Sequence, residues 1–131
     1  MNKIVESIKK LKVFYIATIE GDQPRVRPFG SICEFEGSIY ICSNNRKEVY
    51  KQITANPKIE MCGMNENGEW IRLSAIAKKD NRIEAKQAVL NDPTGPSQLY
   101  KADDAIFEVF KLENVKCMKF SFYSASEEIK P

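Results

Sequence analysis

The sequence predicts one α+β domain, mainly β, in which about six antiparallel strands close into a small barrel with a few short helices. Segments rich in β-branched and aromatic residues recur along the chain, and short turns containing Gly or Asn separate most of them. A flat sheet of this size would leave two edges open, whereas a barrel removes them. The length of 131 residues fits a single domain covering residues 1–131.

The chain begins with a predicted amphipathic helix. Its apolar residues fall at helical spacing, and its lysines lie mainly on the opposite, solvated face. The apolar residues are Ile4, Val5, Ile8 and Leu11, and the lysines are Lys3, Lys9, Lys10 and Lys12.

Two strand pairs follow the helix. Residues 13–19 are predicted as a strand that ends at the turn Glu20-Gly21-Asp22, and residues 25–35 as a second, long strand. The turn Glu36-Gly37 leads into a strand over residues 38–43. We expect the 25–35 and 38–43 strands to pair through this turn, which would place residues near 27 roughly opposite those near 43.

A second helix is predicted to start at Asn45, a plausible N-cap with Glu48 three residues later, and to end at Asn56-Pro57. Strands are then expected over residues 58–64 and 70–79, separated by a turn at 65–68. Residues 82–90 are predicted as a helix, and 93–104 as a loop with one helical turn. The alternating run 105–122 predicts one or two final strands around Glu113-Asn114.

The chain contains no histidine. This excludes histidine general-base catalysis, Ser-His-Asp and Cys-His nucleophiles, and histidine-ligated metal sites. The formal net charge of +2 does not by itself indicate a nucleic-acid or membrane partner.

The cysteines indicate a reducing compartment. No C-x-x-C pair occurs, which argues against a zinc ribbon or a thioredoxin-type motif. Cys33, Cys42 and Cys62 lie among β-formers, where cysteine is usually a small buried hydrophobe. The N-terminus lacks a secretory apolar region and no run is long enough to span a bilayer, so we expect a cytoplasmic protein without a membrane partner.

Two basic segments are candidates for binding an anion. Strand periodicity places Arg25, Arg27 and Phe29 on one face, and two adjacent guanidiniums favour either an anion or carboxylates between them. The second segment is Ser43-Asn44-Asn45-Arg46-Lys47 at a strand-to-helix junction, where free N–H groups and the helix dipole favour an anion.

If the two segments meet at one end of a hairpin, up to four cationic side chains surround one point. They are Arg25, Arg27, Arg46 and Lys47. That arrangement suits a phosphate monoester better than duplex DNA, which requires a longer basic stripe. The ordinary alternative is a capped helix beside a solvated, charged strand face. Trp70, the sole tryptophan, is either a lid on the core or a flat surface for a planar cofactor.

Three segments together resemble the pyridoxamine 5′-phosphate oxidase-like flavoproteins. They are FYIATIEGDQPRVRPFG, IYICSNNRKEVYKQITANPKIEMC and WIRLSAIA, in this order and spacing. The likeness extends from about Leu11 to Phe122. It implies a six-stranded antiparallel split barrel that binds FMN in clefts between the subunits of a homodimer.

The resemblance also implies roles for single residues. Arg27 would contact the FMN phosphate side with support from Arg25, and Pro28, Phe29 and Gly30 would follow the edge of the isoalloxazine. The ribityl phosphate would be held by Ser43, Asn44, Arg46 and Lys47. Trp70 would lie beside the flavin. No catalytic residue is implied, because the flavin carries the chemistry.

We therefore expect an FMN-dependent oxidoreductase that transfers hydride through flavin N5, with NAD(P)H as one candidate donor. The alternatives are a non-catalytic FMN-binding or sensing module and, from basic and aromatic residues alone, a barrel that binds single-stranded nucleic acid. The sequence ends without the C-terminal extension of true pyridoxamine phosphate oxidases. Because the nitroimidazole-reductase and haem-handling branches typically use a histidine, its absence favours the short bacterial branch of flavin reductases and general-stress-type proteins.

Overall fold

The computed structural model describes residues 2–11 and 13–131, so the predicted place of Lys12 on the first helix lies outside the described residues. In chain order the elements are α1 (Lys3–Lys9), β1 (Phe14–Glu20), β2 (Gln23–Phe29), β3 (Cys33–Phe35), β4 (Ser38–Asn44), α2 (Glu48–Ala55), β5 (Lys58–Met64), β6 (Glu69–Asp80), α3 (Ile83–Asn91), β7 (Phe107–Ser121) and β8 (Glu127–Ile129). The predicted mainly-β antiparallel fold is confirmed, with eight strands in place of six among the described residues. The additional strands, β3 and β8, have three residues each.

The strands form one antiparallel sheet in the order β2-β1-β5-β6-β7-β4-β3, and β8 pairs with β7. The two ends of this order, β2 and β3, are joined covalently by residues 30–32. Over the described residues, β2 forms no ladder with β3 or β4. The sheet therefore has an opening between β2 and β4, and this opening is the split of the barrel.

The predicted strand over residues 25–35 breaks at residues 30–32, and the predicted pairing of its first half is wrong. β2 pairs with β1, with Arg27 opposite Ile16, and only the short β3 pairs with β4. β2 contains Pro24 and Pro28 and forms the edge of the sheet. Proline has no N–H to donate, so a strand with two prolines suits an edge, where one side needs no partner.

The second helix begins later than predicted. Lys47 is its N-cap residue, in an extended conformation, and no side chain of the described residues caps the first turn. Asn45 instead donates from Nδ2 to the carbonyl oxygen of Ala105 and to Glu108, which fixes it to the start of β7. The predicted end of the helix at Asn56-Pro57 is confirmed. The backbone N–H groups at the start of α2 are consequently free of a side-chain partner.

The barrel interior holds the larger of two apolar clusters. Ile16, Leu73 and Phe110 are buried there, with the inner faces of α1 and α2 packed over them. α3 covers the outer face of β4 and β7, where Ala85 and Val89 pack with the second cluster. β4 is therefore buried on both faces, which holds its C-terminal end in a fixed position beside the split.

All four cysteines are free thiols. Cys33 and Cys42 are buried as predicted, and so is Cys117, whereas the prediction for Cys62 is wrong because it lies exposed on the outer face of β5. No helix formed by the described residues is both long and apolar enough to cross a bilayer.

An ion-pair cluster links the β3–β4 turn to the end of β6 and the start of α3. Asp80 accepts hydrogen bonds from Tyr40 Oη at 2.8 Å and from Arg82 at 3.0 Å, and Arg82 also bonds Glu36 at 2.7 Å. The hydrogen bonds from Arg82 are the main reason that the pKa of Asp80 falls to about 2. Because this pKa lies below the unfolded value of about 3.9, the carboxylate stabilises the fold above pH 4.

We predict that Asp80→Asn lowers the melting temperature at pH 7 by a few degrees, which corresponds to about 1 kcal/mol for a lost charge-assisted bond. The difference from the wild type should shrink as the pH falls from about 4 to about 2, since the wild type loses the same charge there. Thermal unfolding followed by circular dichroism across this range measures both effects. The exposed Asp103→Asn serves as the control, and a difference independent of pH would contradict the prediction.

Candidate functional site

A cavity of about 240 Å³ lies at the opening between β2 and β4. Its lining comes from the end of β2 and the turn after it, from the junction between β4 and α2, and from the loop between α3 and β7. The lining residues are Arg27, Pro28, Phe29, Gly30, Ser31, Cys42, Ser43, Lys47, Val49, Pro96, Leu99 and Tyr100.

Arg27 enters this cavity from β2 and is held by neutral acceptors. Its NH1 donates to Thr18 Oγ1 at 2.8 Å and to the Ile16 carbonyl oxygen at 3.2 Å, and its NH2 donates to Gln52 Oε1 at 2.6 Å. Arg27 forms no ion pair with a carboxylate of the described residues. Burial lowers the pKa of the guanidinium, but arginine remains charged in proteins. Arg27 therefore brings an uncompensated positive charge to the cavity.

Two buried hydroxyl groups in the cavity lack an oxygen or nitrogen partner, and one of them, that of Ser31, lies against the Cys42 thiol. They belong to Ser31 and Ser43, and within residues 2–11 and 13–131 no other buried side-chain oxygen or nitrogen atom is unpaired. Buried polar groups are normally satisfied, and leaving one unpaired costs about 1–3 kcal/mol. Both serines line the same cavity, so a polar ligand there would satisfy them.

The N-terminus of α2 lies at the same cavity, since Lys47 and Val49 both line it. Lys47 has φ −83° and ψ 149°, and its side chain does not cap the helix. The free N–H groups and the positive end of the helix dipole favour an anion at this point. The one acidic residue in the first turn, Glu48, lies 3.8 Å from Lys51 Nζ.

The loop between α3 and β7 closes the third side of the cavity. The Tyr100 ring stacks on Phe107 with centroids 5.1 Å apart, and its hydroxyl accepts a hydrogen bond from Asn44 Nδ2 at 2.6 Å. Thr94 fixes the start of this loop to Ile32 through its hydroxyl. Gly95 passes so close to the Val89 carbonyl that a Cβ atom would overlap it. The loop is thus placed by specific contacts rather than by packing alone.

The structure brings together most of the residues that the sequence analysis singled out. Those that line the cavity are Arg27, Pro28, Phe29, Gly30, Ser43 and Lys47. Asn44 lies beside them, where its Oδ1 accepts from the Arg46 backbone N–H and its Nδ2 bonds Tyr100.

Besides Asn44, which lies next to the cavity, three predicted site residues do not line it. Arg25 pairs with Glu20 at 2.9 Å on the exposed end of the β1–β2 hairpin, and the Arg46 side chain is exposed. The Trp70 ring stacks on Phe120 with centroids 5.6 Å apart, on the outer face of β6 and β7. A role for these three in binding stays a prediction.

The sequence analysis missed the loop residues Pro96, Leu99 and Tyr100, and the buried partners of Arg27. The loop lies far from both basic segments in sequence, and nothing in its composition indicates contact with them. The sequence does contain a signal for Gln52, which is a polar residue on the otherwise apolar face of α2.

A larger cavity of about 490 Å³ lies between α3 and residues 97–103. It is lined mainly by uncharged side chains, with Lys101 and Asp103 as its two charged groups. It contains neither of the unpaired buried hydroxyls and does not reach Arg27, so the smaller cavity is the better candidate site.

We predict that Ser43→Ala leaves the melting temperature of the ligand-free protein unchanged or raises it by up to a few degrees. The variant removes a buried hydroxyl that no group satisfies in the fold. As a matched control, Thr18→Val removes a buried hydroxyl that is bonded to Arg27 and Gln52, and it should lower the melting temperature. Equal destabilisation by the two variants would show that Ser43 has a structural partner.

Comparisons with known proteins agree with this architecture. The family model for pyridoxamine 5′-phosphate oxidase matches residues 1–114. A NimC/NimA family protein from Clostridium acetobutylicum is 43% identical, with a TM-score of 0.93 over 98% of this chain and 90% of that one. A search of curated proteins finds no significant match.

Two more distant structures share the fold alone. One is a pyridoxamine 5′-phosphate oxidase-related, FMN-binding protein from Nostoc punctiforme, with 16% identity and a TM-score of 0.67 over 96% of this chain and 91% of that one. The other is a heme-binding protein from Mycobacterium smegmatis, with 15% identity and a TM-score of 0.74 over 96% of this chain and 55% of that one.

The absence of histidine favoured the general-stress-type branch over the nitroimidazole-reductase branch. The identity of 43% with a NimC/NimA family protein, over nearly the whole length, shows that the absence of histidine does not set this chain apart from that group. The match of the family model over residues 1–114 identifies the wider group. This chain belongs to the pyridoxamine 5′-phosphate oxidase family, whose split barrel it forms.

Proposed function

We propose that this protein binds FMN in the cavity at the split and acts as an FMN-dependent oxidoreductase. One observation carries the proposal: an uncompensated Arg27, Lys47, the uncapped start of α2 and the unpaired Ser43 hydroxyl surround one cavity. Together they suit a phosphate monoester with about two negative charges. The family and the FMN-binding protein from Nostoc punctiforme support FMN as the phosphate-bearing ligand.

The residues present fit such a ligand. Ser43, Lys47 and the first N–H groups of α2 would hold the phosphate, with Arg27 adding its charge. Pro28, Phe29, Leu99 and Tyr100 supply the apolar surface that an isoalloxazine ring requires. The Ser31 hydroxyl, which lies against the weakly hydrogen-bonding Cys42 thiol, would accept or donate a bond to a polar atom of the flavin or its ribityl chain.

Bound flavin would supply hydride transfer through N5, with NAD(P)H as a candidate donor. The chain's own residues then bind and orient the cofactor and keep water from one side of it. Burial raises the pKa of the Cys42 thiol, so this cavity residue stays protonated near neutral pH and is a poor nucleophile.

The same cavity is compatible with a second candidate, a non-catalytic module that binds or senses FMN. Among the described residues, the cavity lining contains neither a carboxylate nor an acid–base pair. A flavin reductase needs no such pair, so the lining is compatible with both functions and a rate measurement separates them.

We also propose that a homodimer completes the site. The cavity of about 240 Å³ falls below the roughly 300–1,000 Å³ typical of small-molecule sites, so a bound flavin would extend beyond one subunit. The outer face of the β2-β1-β5-β6 sheet exposes Val26 (67%), Tyr15 (49%) and Met64 (56%). Exposed apolar surface of this kind marks interaction sites, and a second copy would both cover it and supply the missing side of the cleft.

We predict that the purified protein binds FMN, and that the double variant Arg27→Ala/Lys47→Ala raises the Kd about a hundredfold or more, since it removes two charged phosphate partners. Quenching of flavin fluorescence measures the Kd. The matched control Lys58→Ala/Lys78→Ala removes the same net charge from exposed positions and should change it little. Unchanged FMN affinity in the Arg27/Lys47 variant would refute this site.

Steady oxidation of NAD(P)H by the FMN-loaded protein would support the oxidoreductase. Tight FMN binding without turnover, over a screen of acceptors that includes oxygen, would favour the non-catalytic module. Absence of flavin binding would refute both.

For the assembly, we predict a dimer by light scattering after size-exclusion chromatography. Val26→Lys should shift it toward the monomer and weaken FMN binding about tenfold, because a charge would be buried in the contact. Ile83→Lys, which changes an exposed apolar residue on α3, is the control and should leave the dimer intact. A wild-type monomer that binds FMN tightly would refute the shared cleft.

A further inference from the structure

We propose that Gln52 is a positioning residue that orients Arg27 while leaving its charge uncompensated, and that the site thereby selects a phosphorylated flavin over neutral riboflavin. The inference deepens the proposed function and rests on it. The neutral amide of Gln52 on α2 would hold the guanidinium in place without cancelling its positive charge.

Gln52 lies at the centre of the group that holds Arg27. Its Oε1 accepts two hydrogen bonds, from Arg27 NH2 at 2.6 Å and from Thr18 Oγ1 at 2.6 Å. Thr18 Oγ1 in turn accepts from Arg27 NH1 at 2.8 Å. Gln52 is 6% exposed and Thr18 is 1% exposed, so these bonds are shielded from competing water.

The position of Gln52 on α2 would ordinarily be apolar. Its neighbours Val49 and Ile53 are buried in the main core, and Gln52 shares that buried face. Burying an amide costs free energy unless it forms hydrogen bonds. A leucine or methionine would pack there without this cost, so the bond to Arg27 is the physical reason for a glutamine.

None of the hydrogen-bond acceptors around Arg27 is charged. They are the Ile16 carbonyl oxygen, Thr18 Oγ1 and Gln52 Oε1. A glutamate at position 52 would have nearly the shape of glutamine and would form an ion pair with the guanidinium in a partly buried place. The neutral amide fixes the same orientation and leaves the positive charge available to a ligand.

The guanidinium also retains donors for that ligand. Arginine has five N–H donors, and the three bonds to Ile16, Thr18 and Gln52 use at most three of them. At least two N–H groups of Arg27, a residue that lines the cavity, are therefore left without a partner among the described residues.

The decisive test compares FMN with riboflavin, which differ only in the phosphate. We expect Gln52→Glu to raise the Kd for FMN about tenfold or more, since the new carboxylate competes with the phosphate for Arg27. The Kd for riboflavin should stay within about twofold, because a neutral ligand gains nothing from the charge. Fluorescence quenching gives both constants, and the melting temperature reports whether the variant folds.

Two further measurements separate a positioning role from a merely structural one. In an Arg27→Ala background, Gln52→Glu should have little further effect on the FMN Kd, because its target charge is gone. Added salt should weaken FMN binding to the wild type more than to Gln52→Glu. If Gln52→Glu does not fold, Gln52→Met serves instead and should raise the FMN Kd while sparing riboflavin.

Several outcomes would overturn the inference. These are wild-type FMN affinity in Gln52→Glu, an equal loss of FMN and riboflavin binding, or an effect of the same size without Arg27. A wild-type protein that binds neither flavin would refute the proposed function itself. Wild-type binding of FMN with no loss in the Gln52 variants would refute only the role of Gln52.

Discussion

The structure of the site depends on a single buried contact, the guanidinium of Arg27 against the neutral oxygens of Thr18 and Gln52. The contact joins β1, β2 and α2, because Thr18 lies on β1, Arg27 on β2 and Gln52 on α2. A charge placed here without a carboxylate is unfavourable unless hydrogen bonds hold it. Those bonds fix the charge at the opening of the sheet, where β2 and β4 form no ladder over the described residues and the candidate cavity lies.

The opening itself follows from how the strands pair. β2 forms its ladder with β1 and contains two prolines, so its other edge cannot form a regular ladder with β4. β4 is held from the other side by β7, which fixes Ser43 opposite Glu108. The cavity therefore lies where the barrel does not close, between β2 and β4. The unpaired serine hydroxyls and the uncapped helix around it cost stability in the ligand-free state, which is typical of binding sites.

Much of the secondary structure was predictable from local pattern. β5, β6 and α3 fall within a residue or two of their predicted bounds, because each has a clear period and a strong stop signal such as Asn56-Pro57 or the 65–68 turn. The errors arose where two local signals competed. Asn45 has the chemistry of an N-cap, but its amide bonds Ala105 and Glu108 across the sheet, and the N-cap residue is Lys47, two residues later.

The sequence by itself determined the class of fold, the two basic segments and their likeness to a flavoprotein family, because these depend on residue type and spacing along the chain. Only the tertiary structure decided which of those residues share a cavity. It separated Arg25 and Trp70 from Arg27 and Lys47, and it added Tyr100 and Gln52. The physical reason is strand pairing: β2 pairs with β1 rather than with β4, and contacts between distant segments are set by that choice and not by local propensity.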